Sequence, residues 1–299
     1  MLKILTPKKS VFHNACMSTG PSEITHVSDT ALLVAGCRAI ESERPDALVR
    51  DPFAARLAGE RGKAMFHSLP HPEIMGFGMA IRTRFLDELV LDAIASTGVA
   101  TVINVGAGLD TRPWRLELPP DLRWIELDFS AMLDYKEGLM ATETLHCRRE
   151  QLTADVNDPA QRRTIYATAG PVPSLMITEG LLMYLPAATV ESFTIEARRE
   201  SSIAHWISDI RTTSFTKAIG GDGVRVVRHV QANDYLEGEQ ILEFIYRNGW
   251  VTAARRSYIT DLDFAKARMG RMISGAPQPR TPTAFAQDDA TGVHRFDRA

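Results

Sequence analysis

Two closely spaced glycines are the first sign of a functional site in this chain. Gly106 and Gly108 follow a β-branched run at residues 101–105 and form a Gly-x-Gly turn. Glycine allows the backbone to turn tightly and to approach a ligand closely, which a side chain would obstruct. About one strand–helix–strand step later, Glu126 and Asp128 end a second strand-like run. This combination predicts a nucleoside-binding crevice at the edge of an open α/β sheet.

Two residues in and after this turn argue against a pyrophosphate ligand. A nicotinamide-binding turn requires a third glycine for close packing of helix on strand, and this chain has Thr111 at that place. Asp110 also lies in the turn, where its carboxylate competes with a phosphate for the backbone N–H groups of the helix N-terminus. The turn therefore favours a ligand with an ammonium or a neutral group, such as S-adenosylmethionine. A nicotinamide-dependent oxidoreductase remains the alternative.

Acidic residues at strand ends fit the same ligand. Glu126 and Asp128 lie on one face of their strand, and either can accept hydrogen bonds from both ribose hydroxyls, so the pattern leaves the choice open. Glu179 ends the apolar run 174–178 and is placed to meet the methionyl ammonium group. A lone acid at a strand end is more often structural, but an acid that closes an apolar run is costly without a partner.

Three more residues could complete the contacts with such a ligand. Asp155 could accept a hydrogen bond from the adenine amino group while Val156 packs on the ring. The polar segment that contains Asp155 is equally typical of a turn. Arg82 could form a charge-assisted pair with the methionyl carboxylate. It lies on an amphipathic helix, where a solvated arginine is the ordinary alternative.

The composition argues against several classes of protein. Of the 299 residues, 44% are hydrophobic and 24% are charged, which is ordinary for a globular protein. The net charge of -3 gives no electrostatic reason to expect nucleic acid or an anionic membrane as a partner. No apolar run is long enough to span a bilayer, and residues 1–14 lack the continuous apolar segment of a signal peptide. The three cysteines are widely spaced and indicate reduced thiols in a cytoplasmic protein.

Periodicity predicts helices in the first third of the chain and an α/β sheet after it. Helical patterns run from residue 28 to 43, after Asp51-Pro52, and from about residue 79 to 96. Strand-like runs then alternate with helices or loops, at residues 101–105, 123–127, about 147–152, 174–178, 204–209 and 250–259. This alternation predicts a mostly parallel, doubly wound, Rossmann-like sheet with right-handed crossovers.

The predicted organisation has four parts. Residues 1–24 lack periodicity and are expected to form a mobile arm, and residues 25–98 are expected to form a helical lid integrated with the core. Residues 99–272 are expected to form the ligand-binding α/β domain. Proline and glycine break the periodicity after residue 274, so residues 273–299 are expected to be an irregular surface segment.

The lid is predicted to be apolar and hinged. The prediction rests on an apolar stripe with two glycine hinges, made up of Phe66, Met75, Gly76, Phe77, Gly78 and Met79. Such a stripe is more often plain core. An apolar lid would suit a bulky apolar acceptor.

Three ordered motifs resemble the leucine carboxyl methyltransferase family. They occupy residues 105–112, 126–128 and 178–185. Segments of its bacterial branch are similar to residues 28–35, 44–54 and 79–87, and the resemblance covers roughly residues 25–270. The resemblance implies a class I methyltransferase fold and S-adenosylmethionine-dependent O-methyl transfer, which in several bacterial members serves polyketide pathways.

The resemblance also assigns roles to particular residues. It implies cofactor contacts at Arg82, Gly106, Asp128, Asp155, Val156 and Glu179, with Gly108 in the same turn. One departure bears on the acceptor: eukaryotic members that methylate a phosphatase place a lysine in the first helix, where this chain has Val34 or Ala35. The departure favours a small-molecule acceptor over a phosphatase.

The acceptor oxygen decides whether a base is needed. A carboxylate is already anionic, whereas an alcohol or phenol needs help in losing its proton. His205 begins an apolar strand, where a structural role is more usual, and the other candidates lie in polar loops, at His67, His71 and His229. Tyr184 could orient a substrate oxygen or be a core tyrosine, and no metal-ligand spacing or P-loop is present. We therefore expect methylation of a carboxylate or acidic hydroxyl on a small apolar molecule. A non-catalytic protein that binds S-adenosylmethionine or S-adenosylhomocysteine remains open.

Overall fold

Three helices precede the sheet in the computed structural model, which describes residues 27–218, 236–274 and 289–299. They are α1 (Val27–Ser42), α2 (Ala54–His67) and α3 (Pro72–Ser96). Asp51 begins the turn into α2, where its carboxylate accepts the backbone N–H of Phe53 at 3.1 Å. The predicted arm, residues 1–24, lies outside the described residues.

The sheet has seven strands in the order β3-β2-β1-β4-β5-β7-β6. The first five of these are mutually parallel, and β7 is antiparallel to both β5 and β6. The strands are β1 (Thr101–Val105), β2 (Arg123–Asp128), β3 (Arg148–Thr153), β4 (Ser174–Thr178), β5 (Ile203–Ile210), β6 (Trp250–Ser257) and β7 (Gly292–Arg298). The prediction of a mostly parallel α/β sheet is confirmed.

Helices connect the strands and cover both faces of the sheet. They are α4 (Arg112–Arg115), α5 (Ser130–Met140), α6 (Pro159–Thr168), α7 (Ala187–Arg199), α8 (Thr213–Ala218), α9 (Gly238–Arg247) and α10 (Lys266–Ser274). No helix of the described residues is both long and apolar enough to cross a bilayer.

Side chains of the central strands alternate between two apolar cores, as a period of two requires. Leu175 and Ile177 of β4 pack with the apolar face of α3, and Met176 between them packs with α7 and α9. All three are completely buried. This burial on both faces explains why β4 is an uninterrupted apolar run, as expected for a central parallel strand.

The prediction of an irregular C-terminal segment is wrong for residues 292–298. They form β7, which is inserted between β5 and β6, and its Val293 and Phe296 are completely buried. The strand also carries His294, Arg295, Asp297 and Arg298, so its sequence reads as a polar tail. Only the pairing with two strands that lie far away in sequence shows that this segment is structural. Residues 275–288 lie outside the described part of the chain.

The prediction of hinges at Gly76 and Gly78 is also wrong. Both glycines lie inside the continuous helix α3, which begins at Pro72 rather than near residue 79. A Cβ atom at Gly76 would lie 3.0 Å from the ring of Phe66, so this glycine allows α2 and α3 to pack closely. A glycine inside a helix costs only about 1 kcal/mol relative to alanine, and close packing can offset that cost.

Candidate active site

A cleft opens where the carboxyl ends of the parallel strands meet the N-terminal helices. Because β1, β2 and β4 run in the same direction, the residues that follow them lie at one edge of the sheet. The cleft is lined there by the glycine turn after β1, by the end of β2, by the segment after β4 and by residues of α1 and α3. Sequence-predicted residues in the lining are Arg82, Gly106, Gly108, Asp128, Val156, Glu179 and Tyr184.

The turn after β1 adopts a conformation that favours glycine. Gly106 and Gly108 have φ angles of 69° and 45°, in the left-handed region. A Cβ atom at Gly106 would lie 3.1 Å from the side chain of Leu181, and the backbone N–H of Gly108 donates to Asp128 Oδ2 at 2.7 Å. The turn is therefore fixed against the end of β2 and leaves its backbone open to the cleft.

The two acids of β2 have different surroundings. Glu126 is completely buried and forms ion pairs with Lys136 at 2.9 Å and Arg149 at 2.8 Å. Asp128 lines the cleft and is held by the backbone N–H groups of Gly108 and Phe129. Burial raises the pKa of Asp128, and these two hydrogen bonds partly oppose that effect. Of the two candidates for the ribose, only Asp128 is at the cleft.

The segment after β3 contributes Val156 to the cleft but not Asp155. The carboxylate of Asp155 accepts the backbone N–H of Asn157 at 2.8 Å, which is an Asx turn. Ala154 and Val156 line the cleft on either side of it in sequence. The geometry therefore supports a structural role for Asp155 in a turn, rather than a contact with the ligand.

Glu179 lies between two guanidinium groups. Its Oε1 lies 3.1 Å from Arg82 Nη2, and its Oε2 lies 3.0 Å from Arg112 Nη1. Burial raises the pKa of Glu179, but the two arginines outweigh this effect and hold it below its usual value. Glu179 is therefore ionised at neutral pH, and the partners that an acid needs at the end of an apolar strand are present.

Asp110 lies in the turn that precedes α4, as predicted. Its carboxylate accepts the backbone N–H of Arg112 at 3.0 Å, the side-chain amide of Asn104 at 2.7 Å and the guanidinium of Arg112 at 2.9 Å. Burial raises its pKa, but Arg112, then Lys136 and Arg115, outweigh burial and lower the pKa to about 2. This fixed negative charge takes an N–H group that a phosphate would need.

A buried chain of ion pairs connects these residues with the N-terminal helices. Arg112, only 1% exposed, also donates to Asp87 of α3 at 2.7 Å, and Asp87 accepts two hydrogen bonds from Arg115. We call this set the ionic network; its members are Arg38, Asp51, Arg82, Asp87, Asp110, Thr111, Arg112, Arg115, Glu179 and Asp209.

The residues of this network were largely missed from the sequence. Asp87 and Arg82 lie on α3 among the apolar residues Phe85, Leu86 and Leu89, all of which are buried. A charged residue on the buried face of a helix needs a partner of opposite charge, and this signal could have identified Asp87, whereas Arg82 was already predicted as a cofactor contact. The partners themselves lie on other elements, so the sequence does not show them.

Helix α1, which belongs to the predicted helical lid at residues 25–98, covers the cleft, whereas the predicted apolar stripe does not. Ala31, Val34 and Arg38 of α1 line it, and Arg38 donates to the carbonyl of Leu109 at 2.6 Å and to Asp51 at 2.8 Å. The residues of that stripe pack in or against the protein core instead: Phe66 and Phe77 are buried in it, and Met75 and Met79 are partly buried against it. The cover thus carries a guanidinium group, which contradicts an entirely apolar lid.

Aromatic side chains also lie at the cleft. Tyr184, in the short helical turn Leu182–Tyr184, lines it together with Phe129, which directly follows Asp128 and is 50% exposed. Phe129 was not predicted, although its place next to a strand-end acid could have indicated it. None of the described cleft residues is a histidine. His205 pairs with Asp297 at 2.7 Å within the sheet, and His229 lies outside the described residues.

A comparison with protein families shows to which family the chain belongs. The family profile described as leucine carboxyl methyltransferase matches residues 31–196, more than half of the chain. The chain belongs to the leucine carboxyl methyltransferase family. The match begins in α1 and ends in α7, so it contains every described cleft residue except Thr30.

Two curated relatives of this family member come from bacteria. One from Streptomyces avermitilis is 38% identical over 174 residues, which cover 54% of this chain and 61% of the relative. One from Mycobacteroides abscessus is 38% identical over 186 residues, covering 56% and 58%. Both are named "Putative S-adenosyl-L-methionine-dependent methyltransferase", in agreement with the predicted cofactor. The chain spans about three fifths of the length of these relatives.

Solved structures show the same fold at low sequence identity. A putative methyltransferase from Thermobifida fusca aligns with a TM-score of 0.53 at 15% identity, covering 93% of this chain and 95% of that one. A DUF574 family protein from Streptomyces avermitilis aligns with a TM-score of 0.52 at 14% identity, covering 89% and 97%. The predicted class I methyltransferase fold is confirmed. In this family member, the described residues contain no cluster of three or more potential metal ligands.

Proposed function

We propose that this chain is an S-adenosylmethionine-dependent methyltransferase that acts on an oxygen of a small molecule, either a carboxylate or an acidic hydroxyl. The observation that carries the proposal is the convergence of Gly106, Asp128 and Glu179 at one edge of the sheet, inside the matched family segment. The names of the bacterial relatives support the same cofactor.

The described cleft offers polar groups that suit the cofactor. The glycine turn lines it with backbone atoms, and the carboxylate of Asp128 is positioned to accept the ribose hydroxyls. Val156 and Phe129 offer apolar surface for the adenine ring. Asp155 is not among the proposed cofactor contacts, because its carboxylate accepts a backbone hydrogen bond within its own turn.

Two groups at the other end of the cleft would hold the amino-acid part. Arg82 offers a guanidinium to the methionyl carboxylate, which is a charge-assisted pair. Glu179 already accepts from two guanidiniums, but each carboxylate oxygen has a second lone pair that can accept from an ammonium group. The two residues therefore provide opposite charges for a zwitterionic ligand.

S-adenosylmethionine, when bound, supplies a methyl group on a positively charged sulfur that is open to in-line attack. The contribution of the chain is to hold the acceptor oxygen in line and to exclude water from the cleft. The described lining offers Tyr184 as an orienting hydroxyl and no histidine as a base. This absence supports an acceptor whose oxygen is already anionic or readily becomes so.

We propose no size for the acceptor, because the predicted apolar stripe of the lid does not line the cleft. Leu181 and Met183 provide apolar surface beside Tyr184, so an apolar acceptor remains supported. Polyketide-type phenols and acids are therefore suitable members of a substrate panel.

The experiment is methyl transfer from radiolabelled S-adenosylmethionine to a panel of carboxylic acids, phenols, alcohols, amines and thiols. Mild alkali releases methanol from a methyl ester but not from a methyl ether, so the product identifies the type of oxygen. Asp128→Ala should abolish transfer, whereas Glu60→Gln, at a side chain that is 95% exposed, should not change it. Label on nitrogen or sulfur would contradict O-methylation. Cofactor binding without transfer to any acceptor would favour the non-catalytic alternative.

A further inference from the structure

Asp209 is a buried acid behind the cleft that sequence reasoning did not single out. It lies near the carboxyl end of β5, beyond the residues of β5 that pair with β4, and is 3% exposed. Its Oδ1 accepts the backbone N–H of Gly180 at 2.6 Å. Gly180 follows Glu179 and has a φ angle of 59°, so this bond fixes a turn that favours glycine.

The second oxygen of Asp209 faces the other residue of the proposed amino-acid site. Asp209 Oδ2 lies 3.7 Å from Arg82 Nη1 and accepts no hydrogen bond from the described residues. Arg82 itself is 8% exposed and has Glu179 on its other side at 3.1 Å. The guanidinium of Arg82 is thus held between two carboxylates, one at the cleft and one behind it.

The Gly180 turn adds a steric limit to the position of Arg82. A Cβ atom at Gly180 would lie 3.3 Å from Arg82 Nη1, so the guanidinium passes directly over the turn. Asp209 therefore contacts both parts of this arrangement, the turn through Oδ1 and the guanidinium through Oδ2. A single side chain couples the backbone next to Glu179 to the charge of Arg82.

We propose that Asp209 is a positioning residue that fixes Arg82 and the Glu179–Gly180 turn for the carboxylate and ammonium groups of the cofactor. This inference rests on the proposed function and names a residue outside the segment matched by the family profile. A buried carboxylate that faces a guanidinium at 3.7 Å prevents it from turning away, so the ligand does not have to order it.

The test compares two ligands that share a nucleoside. S-adenosylhomocysteine carries the amino-acid group and 5′-methylthioadenosine lacks it. If Asp209 acts through Arg82 and Glu179, Asp209→Asn should weaken S-adenosylhomocysteine binding by about tenfold, the scale of one hydrogen bond to a charged group. The same variant should leave 5′-methylthioadenosine binding unchanged, because that ligand does not contact this end of the cleft.

A matched control and a second variant complete the design. Asp297→Asn removes a carboxylate of the same sheet that pairs with His205 away from the cleft, and it should change neither affinity. Asp209→Glu keeps the charge but displaces it, and should also lose affinity selectively for S-adenosylhomocysteine. In an Arg82→Lys background, Asp209→Asn should have a smaller effect on S-adenosylhomocysteine than in the wild type.

The outcomes separate this inference from the proposed function. Equal weakening of both ligands by the Asp209 variants, or no weakening of either, would overturn the positioning role. If Asp209→Asn does not fold, Asp209→Glu decides the question on the same comparison of two ligands. Failure of the wild type to bind S-adenosylhomocysteine would instead overturn the proposed function.

Discussion

Two regions of this protein are both largely buried but are held together by different forces. The ionic network beside the cleft depends on charged partners, as in Arg112 with its three carboxylates. The aromatic cluster on the opposite side of β4 consists of Tyr166, Phe193, Trp206, Trp250 and Phe296. Its rings meet edge-on or tilted, at centroid distances between 5.6 and 6.2 Å.

The difference indicates what each region is for. Apolar burial is non-directional and stabilises the fold without fixing any one orientation of a group. Buried ion pairs add little net stability, because their desolvation offsets their attraction, but they fix charged groups in direction. A site that must present a guanidinium and a carboxylate to a zwitterionic ligand benefits from such fixed charges. The aromatic cluster therefore stabilises the sheet, while the network prepares the site.

The largest effect is expected from Arg112→Met. The change removes the partner of three carboxylates, and breaking a buried pair of this kind destabilises by about 3–5 kcal/mol. Affinity for S-adenosylhomocysteine should fall as well, because Glu179 loses one of its two guanidiniums. Denaturant unfolding and calorimetry measure the two effects. Arg123→Met, in the exposed pair with Glu150, is the control and should cost less than about 1 kcal/mol. Equal costs at the two sites would contradict the network.

A comparable loss of stability without loss of binding is expected from Phe193→Ala. Phe193 is completely buried against Tyr166 and Trp206, and truncation of such a ring costs about 3 kcal/mol. Because the ring is outside the cleft, the folded variant should bind S-adenosylhomocysteine with unchanged affinity. A clear loss of affinity in the folded variant would show that the two regions are coupled.

The aromatic side should also lose stability first as the pH falls, because His294 stacks on Phe296 at a ring-centroid distance of 5.3 Å. Burial lowers the pKa of His294 from 6.5 to about 4, so the unfolded state takes up a proton that the folded state does not. Stability should therefore fall between about pH 6.5 and pH 4, by on the order of 3 kcal/mol. In His294→Gln this part of the pH dependence should be missing. An unchanged slope in that variant would show that another group is responsible.

The ionic network should respond at lower pH and more weakly. The pKa of Asp110 falls from 3.8 in the unfolded chain to about 2 in the folded one, so its stabilisation is complete above pH 4 and disappears as the pH falls through 2. Asp110→Asn should be less stable than the wild type at pH 7 by on the order of 1–2 kcal/mol, with the difference shrinking towards pH 2. A difference that stays constant over that range would contradict the assignment.

Local patterns predicted the parts of the fold that depend on local forces. The apolar run of β4 and the glycines after β1 can be recognised from residue type alone. The burial of a central strand requires apolar residues, and a positive φ angle favours glycine. The same holds for Asp110, whose position at a helix start was enough to predict its hydrogen bond to the backbone. These features led to the fold, to the cleft and to Asp128 and Glu179 as its acids.

Features that depend on distant partners could not be predicted in this way. Strand β7 carries four polar or charged residues among its seven, and its place between β5 and β6 is determined by pairing across long separations. The pairs Arg112–Asp87 and Arg82–Asp209 likewise join elements that are distant in sequence. The choice between Glu126 and Asp128 was decided by Lys136 and Arg149, which neutralise Glu126 within the core. Single-sequence patterns do not record such contacts.

Calorimetric titration of the wild-type chain with S-adenosylhomocysteine and, separately, with NAD tests the central claim most directly. We expect one binding site for S-adenosylhomocysteine, a large loss of affinity in Asp128→Ala, and no binding of NAD, because Asp110 takes a backbone N–H group that a pyrophosphate would use. Tight binding of NAD without binding of S-adenosylhomocysteine would contradict it.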